Sequence, residues 1–256
     1  MLFDSHAHLD DDRFAADRDE VINSMQAAGV SYITNIGDDL DSSRRSLVLA
    51  KRYPFVYATV GVHPHNVEHL TEAHMEELAL LAREEKAVAI GEIGLDYYYD
   101  NSPRDLQRKW FERQIQLALE LDMPIAVHNR DSNEDCMAIL KKYDIKRIGG
   151  IMHCYSGSAE MAKEVVRLGM YISFAGPVTF KNNRRGVETV REIPLEHILV
   201  ETDCPYLAPE PVRGTRNDSR NVRYVAEKIA EIKGVSFEEV ARITAENAKN
   251  VYKIKV

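Results

Sequence analysis

Eight short apolar runs, each followed by a segment of helical periodicity, constrain the fold of this chain more than any other feature. Parallel strands need long crossover connections, usually helices, so this alternation predicts a parallel sheet. Dividing 256 residues by eight repeats gives 32 residues for each, which is close to the length of a βαβ step. The runs lie at 2–9, 32–37, 56–62, 87–93, 124–128, 149–154, 171–176 and 198–203.

The segments between these runs carry apolar residues at spacings of three and four, which is typical of amphipathic helices. Thr71 is a candidate N-cap, and Ser236 with Glu239 fits a capping box that begins a last helix near 237–248. Examples of the helical segments are 17–28, 71–85, 104–121 and 158–168.

Two arrangements of eight parallel strands compete, a closed TIM-type (β/α)8 barrel and an open doubly wound sheet. The open sheet usually carries a glycine-rich turn after its first strand, whereas this chain has His6-Ala7-His8 there. A barrel occupies about 250 residues as one unit, and no linker-like stretch divides the sequence. We therefore expect a single TIM-type domain over residues 1–256, with its active site at the C-terminal face of the strands.

Histidines and carboxylates lie at the carboxyl ends of most of these runs. In a barrel such residues meet at one face although they are far apart in sequence. His6 and His8 are two residues apart on a strand, so both side chains point to the same side. Imidazole and carboxylate are ligands of zinc, manganese and iron. The candidate residues are His6, His8, His63, His65, Glu92, His128, His153 and Asp203.

This donor set exceeds the needs of one tetrahedral ion and predicts two divalent ions per subunit, with Glu92 or Asp203 as a bridge. Zinc, manganese and magnesium all remain open as their identity. The chemistry that these residues predict by themselves is metal-assisted hydrolysis.

At the level of motifs, the chain resembles the TatD-type metal-dependent deoxyribonucleases of the amidohydrolase-like superfamily of TIM barrels. The matching segments read DSHAHL at 4–9, GVHPH at 61–65, GEIGLDYY at 91–98, VHNR at 127–130, HCYSG at 153–157 and ETDCPYL at 201–207. Two departures are Ser219 after Arg216-Asn217-Asp218, where the family usually has proline, and Tyr155 in place of phenylalanine.

The resemblance implies hydrolysis of DNA phosphodiester bonds by a water that two metal ions activate. It implies catalytic roles for three residues: Glu92 bridges the ions, Asp203 orients or deprotonates the water, and His63 lies near the scissile phosphate. The implied metal ligands are His6, His8, Glu92, His128, His153 and Asp203.

Basic residues in two predicted mouth loops, 177–186 and 211–223, are candidate contacts for substrate phosphates. The segment Asp96-Tyr97-Tyr98-Tyr99 either stacks on bases or packs as an ordinary loop. Glu201 shares a face with Asp203 and either supports a ligand histidine by a hydrogen bond or is a buried structural carboxylate. The substrate candidates are His65, Arg184, Arg213 and Arg216.

Charge and composition limit the possible partners. Lysine and arginine number 33 against 41 acidic residues, a formal charge of −8, which excludes a globally basic nucleic-acid-coating protein. Three scattered cysteines, no signal-peptide pattern and no apolar stretch of about 20 residues indicate a cytoplasmic protein without a membrane anchor. We expect DNA as a transient partner and a monomer as the default state.

Two alternative functions stay open at this point. One is a hydrolase of carboxyl esters or amides, such as an aminoacyl-tRNA deacylase or a small cyclic amide hydrolase. Some relatives of that kind bridge their metals with a modified lysine, and Glu92 with no lysine in the fourth run favours the carboxylate-bridged branch. The other is a metal-binding, nucleic-acid-binding protein without catalytic activity.

Overall fold

A single parallel sheet forms the centre of the molecule in the computed structural model, which describes residues 1–255. Neighbouring strands in the sheet follow the order of the sequence, and each pair is parallel. The prediction of a TIM-type barrel is thereby confirmed. The strands are β1 (Leu2–Ala7), β2 (Val30–Asn35), β3 (Val56–Val60), β4 (Ala87–Asp96), β5 (Ile125–Arg130), β6 (Gly150–Met152), β7 (Met170–Phe174) and β8 (Ile198–Val200).

The first and last strands meet just beyond their carboxyl ends. Ala7 and Cys204 form a parallel bridge, and the His8 amide donates to the Cys204 carbonyl at 2.8 Å. The Asp203 amide donates to the His6 carbonyl at 2.9 Å. These bonds place residues from opposite ends of the chain side by side at the mouth of the barrel.

Helices alternate with the strands and cover the outside of the sheet. The segment predicted at 104–121 is a helix with those bounds, in which Trp110 and Phe111 are buried. The helices are α1 (Arg18–Ser24), α2 (Leu40–Arg52), α3 (Glu72–Leu81), α4 (Arg104–Leu121), α5 (Asn133–Lys142), α6 (Ile145–Ile148), α7 (Ala159–Arg167), α8 (Arg184–Glu192), α9 (Val222–Lys233) and α10 (Phe237–Val251).

Two predicted helix starts differ in detail from the sequence expectation. Thr71 accepts from the His74 amide, and His74 Nδ1 accepts from the Thr71 amide, so an imidazole completes a reciprocal capping box. At α10 the hydroxyl of Ser236 accepts from the Glu239 amide at 3.1 Å, which is one half of the predicted box. Each cap satisfies backbone donors that the first helical turn leaves unpaired.

Aromatic side chains fill the end of the barrel opposite the mouth. The ring of Phe3 lies 5.6 Å from Tyr32 and 6.2 Å from Tyr252. The Tyr252 hydroxyl donates to the Ser5 carbonyl at 2.7 Å and fixes the chain after α10 beneath β1. A fully buried Phe3 contributes about 2–3 kcal/mol of hydrophobic stabilisation. This end is therefore a packed core, and the opposite face is left for polar side chains.

Strand β4 extends three residues beyond its predicted end, to Asp96. Its Gly94 has φ +144, and a Cβ there would overlap the carbonyl oxygen of His128 on β5. Only glycine allows this close approach of the two backbones. Within residues 1–255, none of the helices combines the length and apolar character that a bilayer crossing requires.

Candidate metal centre

The structure brings the six predicted ligands together at the carboxyl ends of five strands. His6, Glu92 and His128 lie within β1, β4 and β5, and the other three follow their strands by one to three residues. His6, Glu92 and His153 are buried, whereas the remaining three are only slightly exposed. Their donor atoms form two groups around the carboxylate of Glu92. The six residues are His6, His8, Glu92, His128, His153 and Asp203.

The first group, which we call the first cradle, consists of His6, His8, Asp203 and the Oε2 atom of Glu92. The two histidine Nε2 atoms lie 3.3 Å apart, and Glu92 Oε2 lies 3.2 Å from His6 and 3.7 Å from His8. Asp203 Oδ1 lies 3.6 Å and 3.5 Å from the same nitrogens. A tetrahedral ion with bonds of about 2.0–2.1 Å separates its ligand atoms by roughly 3.3–3.4 Å. These four donors therefore fit one ion.

The second cradle consists of His128, His153 and the Oε1 atom of Glu92. Glu92 Oε1 lies 2.9 Å from His128 Nδ1 and 2.7 Å from His153 Nε2, and these two nitrogens are 3.3 Å apart. His63 Nε2 lies 3.5 Å from the same oxygen, within reach of this cradle. Three donors with a fourth group beside them suit an ion that keeps an open position for substrate or water.

Electrostatics favour the ionised form of the bridging carboxylate. Burial opposes the ionisation of Glu92, but His153, His6 and His63 outweigh it and hold its pKa well below the usual range. Burial likewise opposes ionisation of Asp203, whose pKa is lowered by its hydrogen bond with His8 and the nearby His6. Both carboxylates are therefore anionic at neutral pH and suit divalent cations.

The histidines respond to the same environment in opposite directions. Burial opposes the charge on His8, but the hydrogen bond to Asp203 raises its pKa to about 9. Burial and the neighbouring His153 lower the pKa of His6, and burial with His128 holds the pKa of His63 well below its ordinary value. His6 and His63 are thus neutral near pH 7, the form in which an imidazole nitrogen can coordinate or accept a proton.

Asp96 is a functional candidate whose role the sequence reasoning missed, because only base stacking and ordinary loop packing were considered for its segment. Its Oδ2 lies 3.0 Å from His128 Nε2 and 2.9 Å from His65 Nε2. Its Oδ1 accepts from the amides of Tyr98 and Tyr99. The available signal was its position four residues after Glu92 on the same strand, which places both carboxylates on one face.

Glu201 lies behind the second cradle, fully buried. Its Oε1 is 3.4 Å from His153 Nδ1 and accepts from the Cys154 amide at 2.7 Å, while Oε2 accepts from the Ser173 hydroxyl at 2.5 Å. Glu201 is thus a buried carboxylate close to His153 Nδ1, a buried nitrogen without a hydrogen-bond partner among residues 1–255, and its support of a ligand histidine stays a prediction.

The loop after β8 holds Asp203 in the left-handed region, with φ 54. Such a backbone costs about 1–3 kcal/mol in a non-glycine residue and persists only where its surroundings enforce it. Asn217 supplies part of that enforcement, since its amide donates to the carbonyls of Thr202 at 2.9 Å and Tyr206 at 2.7 Å. Asp4 accepts from the amide and hydroxyl of Thr202, at 2.9 and 2.6 Å.

The predicted phosphate contacts have different surroundings in the structure. Arg216 donates to both carboxylate oxygens of Asp17, at 2.8 and 2.6 Å, so its guanidinium already has a charged partner. Arg213 lies over the ring of Phe180 at 4.2 Å and 3.9 Å from Glu210. Arg184, the first residue of α8, is exposed and makes no ion pair within residues 1–255. His65 contacts Asp96, as described above.

A family model described as "TatD related DNase" matches residues 3–253. The chain belongs to this family. The resemblance seen in the motifs is thereby confirmed, and the TatD-related match covers nearly the whole chain.

Several similar proteins align with nearly the whole length of this chain. A Bacillus subtilis protein named "Uncharacterized metal-dependent hydrolase YabD" is 48% identical, and the alignment covers 99% of this chain and 100% of that protein. The Salmonella typhimurium "3'-5' ssDNA/RNA exonuclease TatD" is 35% identical, with 99% of each chain covered. The crystal structure of YJJV, a TatD homolog from Escherichia coli K12, superimposes with a TM-score of 0.93 at 28% identity, covering 99% and 98% of the two chains.

Proposed function

We propose that this protein is a divalent-metal-dependent nuclease that hydrolyses phosphodiester bonds of DNA. The observation that carries the proposal is the position of the Glu92 carboxylate between two separate groups of donor atoms, with one oxygen facing each group. Membership in the TatD-related DNase family supports the nuclease class, and relatives bear the names of a metal-dependent hydrolase and a single-strand exonuclease.

Two ions per subunit are proposed, one in each cradle, with Glu92 between them. The donor chemistry fits such ions, because neutral imidazoles and ionised carboxylates are the preferred ligands of zinc and manganese. Magnesium, which prefers oxygen ligands, suits this imidazole-rich set less well. When bound, the ions supply Lewis acidity and lower the pKa of a coordinated water.

Asp203 is proposed to orient the attacking water and accept its proton. Its carboxylate is ionised and lies in the first cradle, so an unprotonated oxygen is available as a proton acceptor at the position proposed for the water. The backbone of the loop keeps Asp203 Oδ1 within 3.6 Å of His6, in β1, and of His8, just after it. In this proposal, Asp203 is the one residue of the loop after β8 that accepts a proton.

His63 is proposed to contact the substrate phosphate on the side of the second cradle. Its Nδ1 accepts from the His65 amide at 3.1 Å, so Nε2 is the nitrogen that faces the centre. Because burial holds the pKa of His63 well below its ordinary value, the ring is neutral, and its Nε2–H can donate a hydrogen bond to a phosphate oxygen without adding charge. Exposed Arg184 and Arg213 at the mouth add positive charge for flanking phosphates.

The test is cleavage of labelled single- and double-stranded DNA with Mn²⁺, Zn²⁺ or Mg²⁺, each with and without chelator. We expect metal-dependent cleavage that falls at least about 100-fold in Glu92→Gln, since even the loss of a residue that only supports a ligand typically costs 10–100-fold. Metal analysis should find two ions in the wild type and fewer in Glu92→Gln.

Asp100→Asn is the matched control, because Asp100 is a carboxylate of the mouth that pairs with Arg104 and touches neither cradle. An absence of cleavage with every metal would overturn the proposal. Hydrolysis of an aminoacyl ester under the same conditions would instead support the ester-hydrolase alternative.

A further inference from the structure

Exposed aromatic side chains are concentrated at the mouth of the barrel. Tyr98 and Tyr99 follow β4 and are 58% and 55% exposed, and Tyr206 follows β8 and is 46% exposed. Together with Leu207 they make up four of the seven large hydrophobic side chains that are exposed within residues 1–255. Exposed apolar side chains that gather at one end of a protein are typical of a binding surface.

The first group of rings, which we call platform A, consists of Tyr98, Tyr99 and Arg130. The Arg130 guanidinium lies 4.1 Å from the Tyr98 ring centre and 4.7 Å from that of Tyr99. The Tyr99 ring meets His65 edge-on at 5.5 Å, and His65 contacts Asp96. Arg130 is exposed and has no carboxylate partner within residues 1–255, so its charge is free to attract phosphate.

The second group, platform B, consists of Tyr206 and Arg13. The Arg13 guanidinium lies 3.9 Å from the Tyr206 ring centre and also pairs with Asp11 at 2.9 Å. The Tyr206 hydroxyl donates to Asp11 at 3.3 Å, which fixes the tilt of the ring. On the inner side, the Tyr206 ring lies 6.3 Å from that of His8 in the first cradle.

The two platforms lie on opposite sides of the mouth. Platform A is built from the ends of β4 and β5, and platform B from the segments after β8 and β1. In a closed barrel of eight strands in sequential order, β4 and β8 are four strands apart, as are β5 and β1. Platform B lies beside His8 of the first cradle, and platform A is linked through His65 and Asp96 to His128 of the second cradle, so the metal centre lies between them.

We infer that each platform stacks a nucleobase of one single DNA strand, so that the backbone between the two bases crosses the metal centre. This inference rests on the proposed function. Aromatic faces accept any base, and arginine adds cation–π and phosphate contacts, which is the usual composition of a sequence-tolerant single-strand site. A duplex keeps its base faces stacked inside and offers none to the tyrosines, so the platforms select single strands.

Binding, measured apart from cleavage, tests the inference. The probe is a short fluorescein-labelled oligodeoxythymidylate in chelator, with fluorescence anisotropy as the readout. Stacking contributes about 1–3 kcal/mol per base, so Tyr99→Ala and Tyr206→Ala should each raise Kd roughly 5- to 150-fold. Tyr99→Phe and Tyr206→Phe keep the ring face and should bind within about twofold of the wild type.

The matched control is Leu80→Ala, which removes a 65% exposed side chain on α3, away from the mouth loops. It should leave Kd unchanged. A second readout needs no variant: the wild type should bind an abasic oligonucleotide of equal length much more weakly than the thymidylate. A single 2-aminopurine moved along the strand should report stacking at two positions, one for each platform.

Equal binding of the abasic and normal strands, or of a duplex and a single strand, would overturn the inference. So would alanine variants that bind like the wild type. Cleavage of bis(p-nitrophenyl) phosphate, which has no nucleobase, tests the proposed function separately. If the protein cleaves that compound with metal but binds DNA independently of the tyrosines, the nuclease proposal stands and the stacking role of the platforms is overturned. Tyrosine-dependent binding of DNA without any cleavage would support the platforms and overturn the nuclease proposal.

Discussion

Asp96 Oδ2 lies 3.0 Å from Nε2 of His128, whose other ring nitrogen lies 2.9 Å from Glu92. A neutral imidazole has one donor and one acceptor nitrogen. If the proton is on Nε2, it is donated to Asp96, and the lone pair of Nδ1 faces the second cradle. Asp96 thereby selects both the ring orientation and the tautomer that can coordinate a metal.

Asp96→Asn should weaken metal binding at the second cradle by about 10- to 100-fold, because the ring of His128 loses its charged acceptor. The asparagine keeps one oxygen for the amides of Tyr98 and Tyr99, so the fold of the loop is retained. Competition with a chromogenic chelator measures the affinities. Asp100→Asn is the control, and equal affinities in both variants would remove the positioning role from Asp96.

Metal binding should release a proton at neutral pH. The hydrogen bond to Asp203 overcomes burial and raises the pKa of His8 to about 9, so His8 is protonated at pH 7 and must lose that proton to coordinate. Affinity in the first cradle should therefore rise with pH from 7 to about 9. Calorimetry in two buffers of different ionisation enthalpy counts the released protons, and a pH-independent affinity would contradict the prediction.

The two arginines Arg184 and Arg216 should differ in their effect on DNA binding. Arg184 is exposed without a partner within residues 1–255, whereas Arg216 is held by Asp17. Arg184→Ala should weaken single-strand binding and reduce the slope of log K against log salt by about 0.7, the loss of one phosphate contact. Arg216→Ala should leave the slope unchanged. The measurement is anisotropy at four or more salt concentrations, and identical slopes in the two variants would refute the distinction.

Stability of the metal-free protein should fall as pH rises through the range in which Asp4 titrates. Burial raises the pKa of Asp4 from 3.8 to about 7, and the folded state therefore binds this proton more tightly than the unfolded chain. Between about pH 4 and 7 the folded state holds more protons, so the free energy of unfolding decreases, by up to about 4 kcal/mol from this group.

Asp4→Asn removes that titration and should flatten the decline relative to the wild type. Urea unfolding in chelator at pH 4.5, 5.5, 6.5 and 7.5 provides the comparison. The difference between the two proteins isolates Asp4 from the histidines that titrate in both. Parallel stability curves would show that Asp4 is ionised in the folded state throughout.

Much of the fold was predictable because it depends on periodicity, which the sequence displays directly. The eight runs became eight strands, and α4 has the predicted bounds, since its apolar residues repeat over five turns. The end of β4 was placed too early because Gly94 interrupts its apolar pattern. That glycine is needed for the close approach to His128, which is a property of two backbones and not of one segment.

The candidate site was predictable where the chemistry depends on residue type and strand position. His6, His8 and Asp203 are recognisable because each stands at or just beyond a strand end. The partner of Arg216 was not predictable, since Asp17 lies 199 residues away in sequence and the two meet only after the barrel closes. The two platforms were not predictable either, because the contact of each arginine with its tyrosine depends on how separate loops pack together.

The junction of β1 with the segment after β8 has a consequence for the order of events during synthesis. His6 and Asp203 meet only after nearly the whole chain has been made, since Asp203 follows the last strand. At about 5–20 residues per second, an emerging chain carries His6 and His8 for roughly 10–40 s before Asp203 joins them. During that interval the first cradle lacks at least one of its four donors, since Glu92 joins before Asp203. The first cradle can therefore be completed only in a chain that has been made beyond Asp203, whereas the three donors of the second cradle, Glu92, His128 and His153, are all made before it.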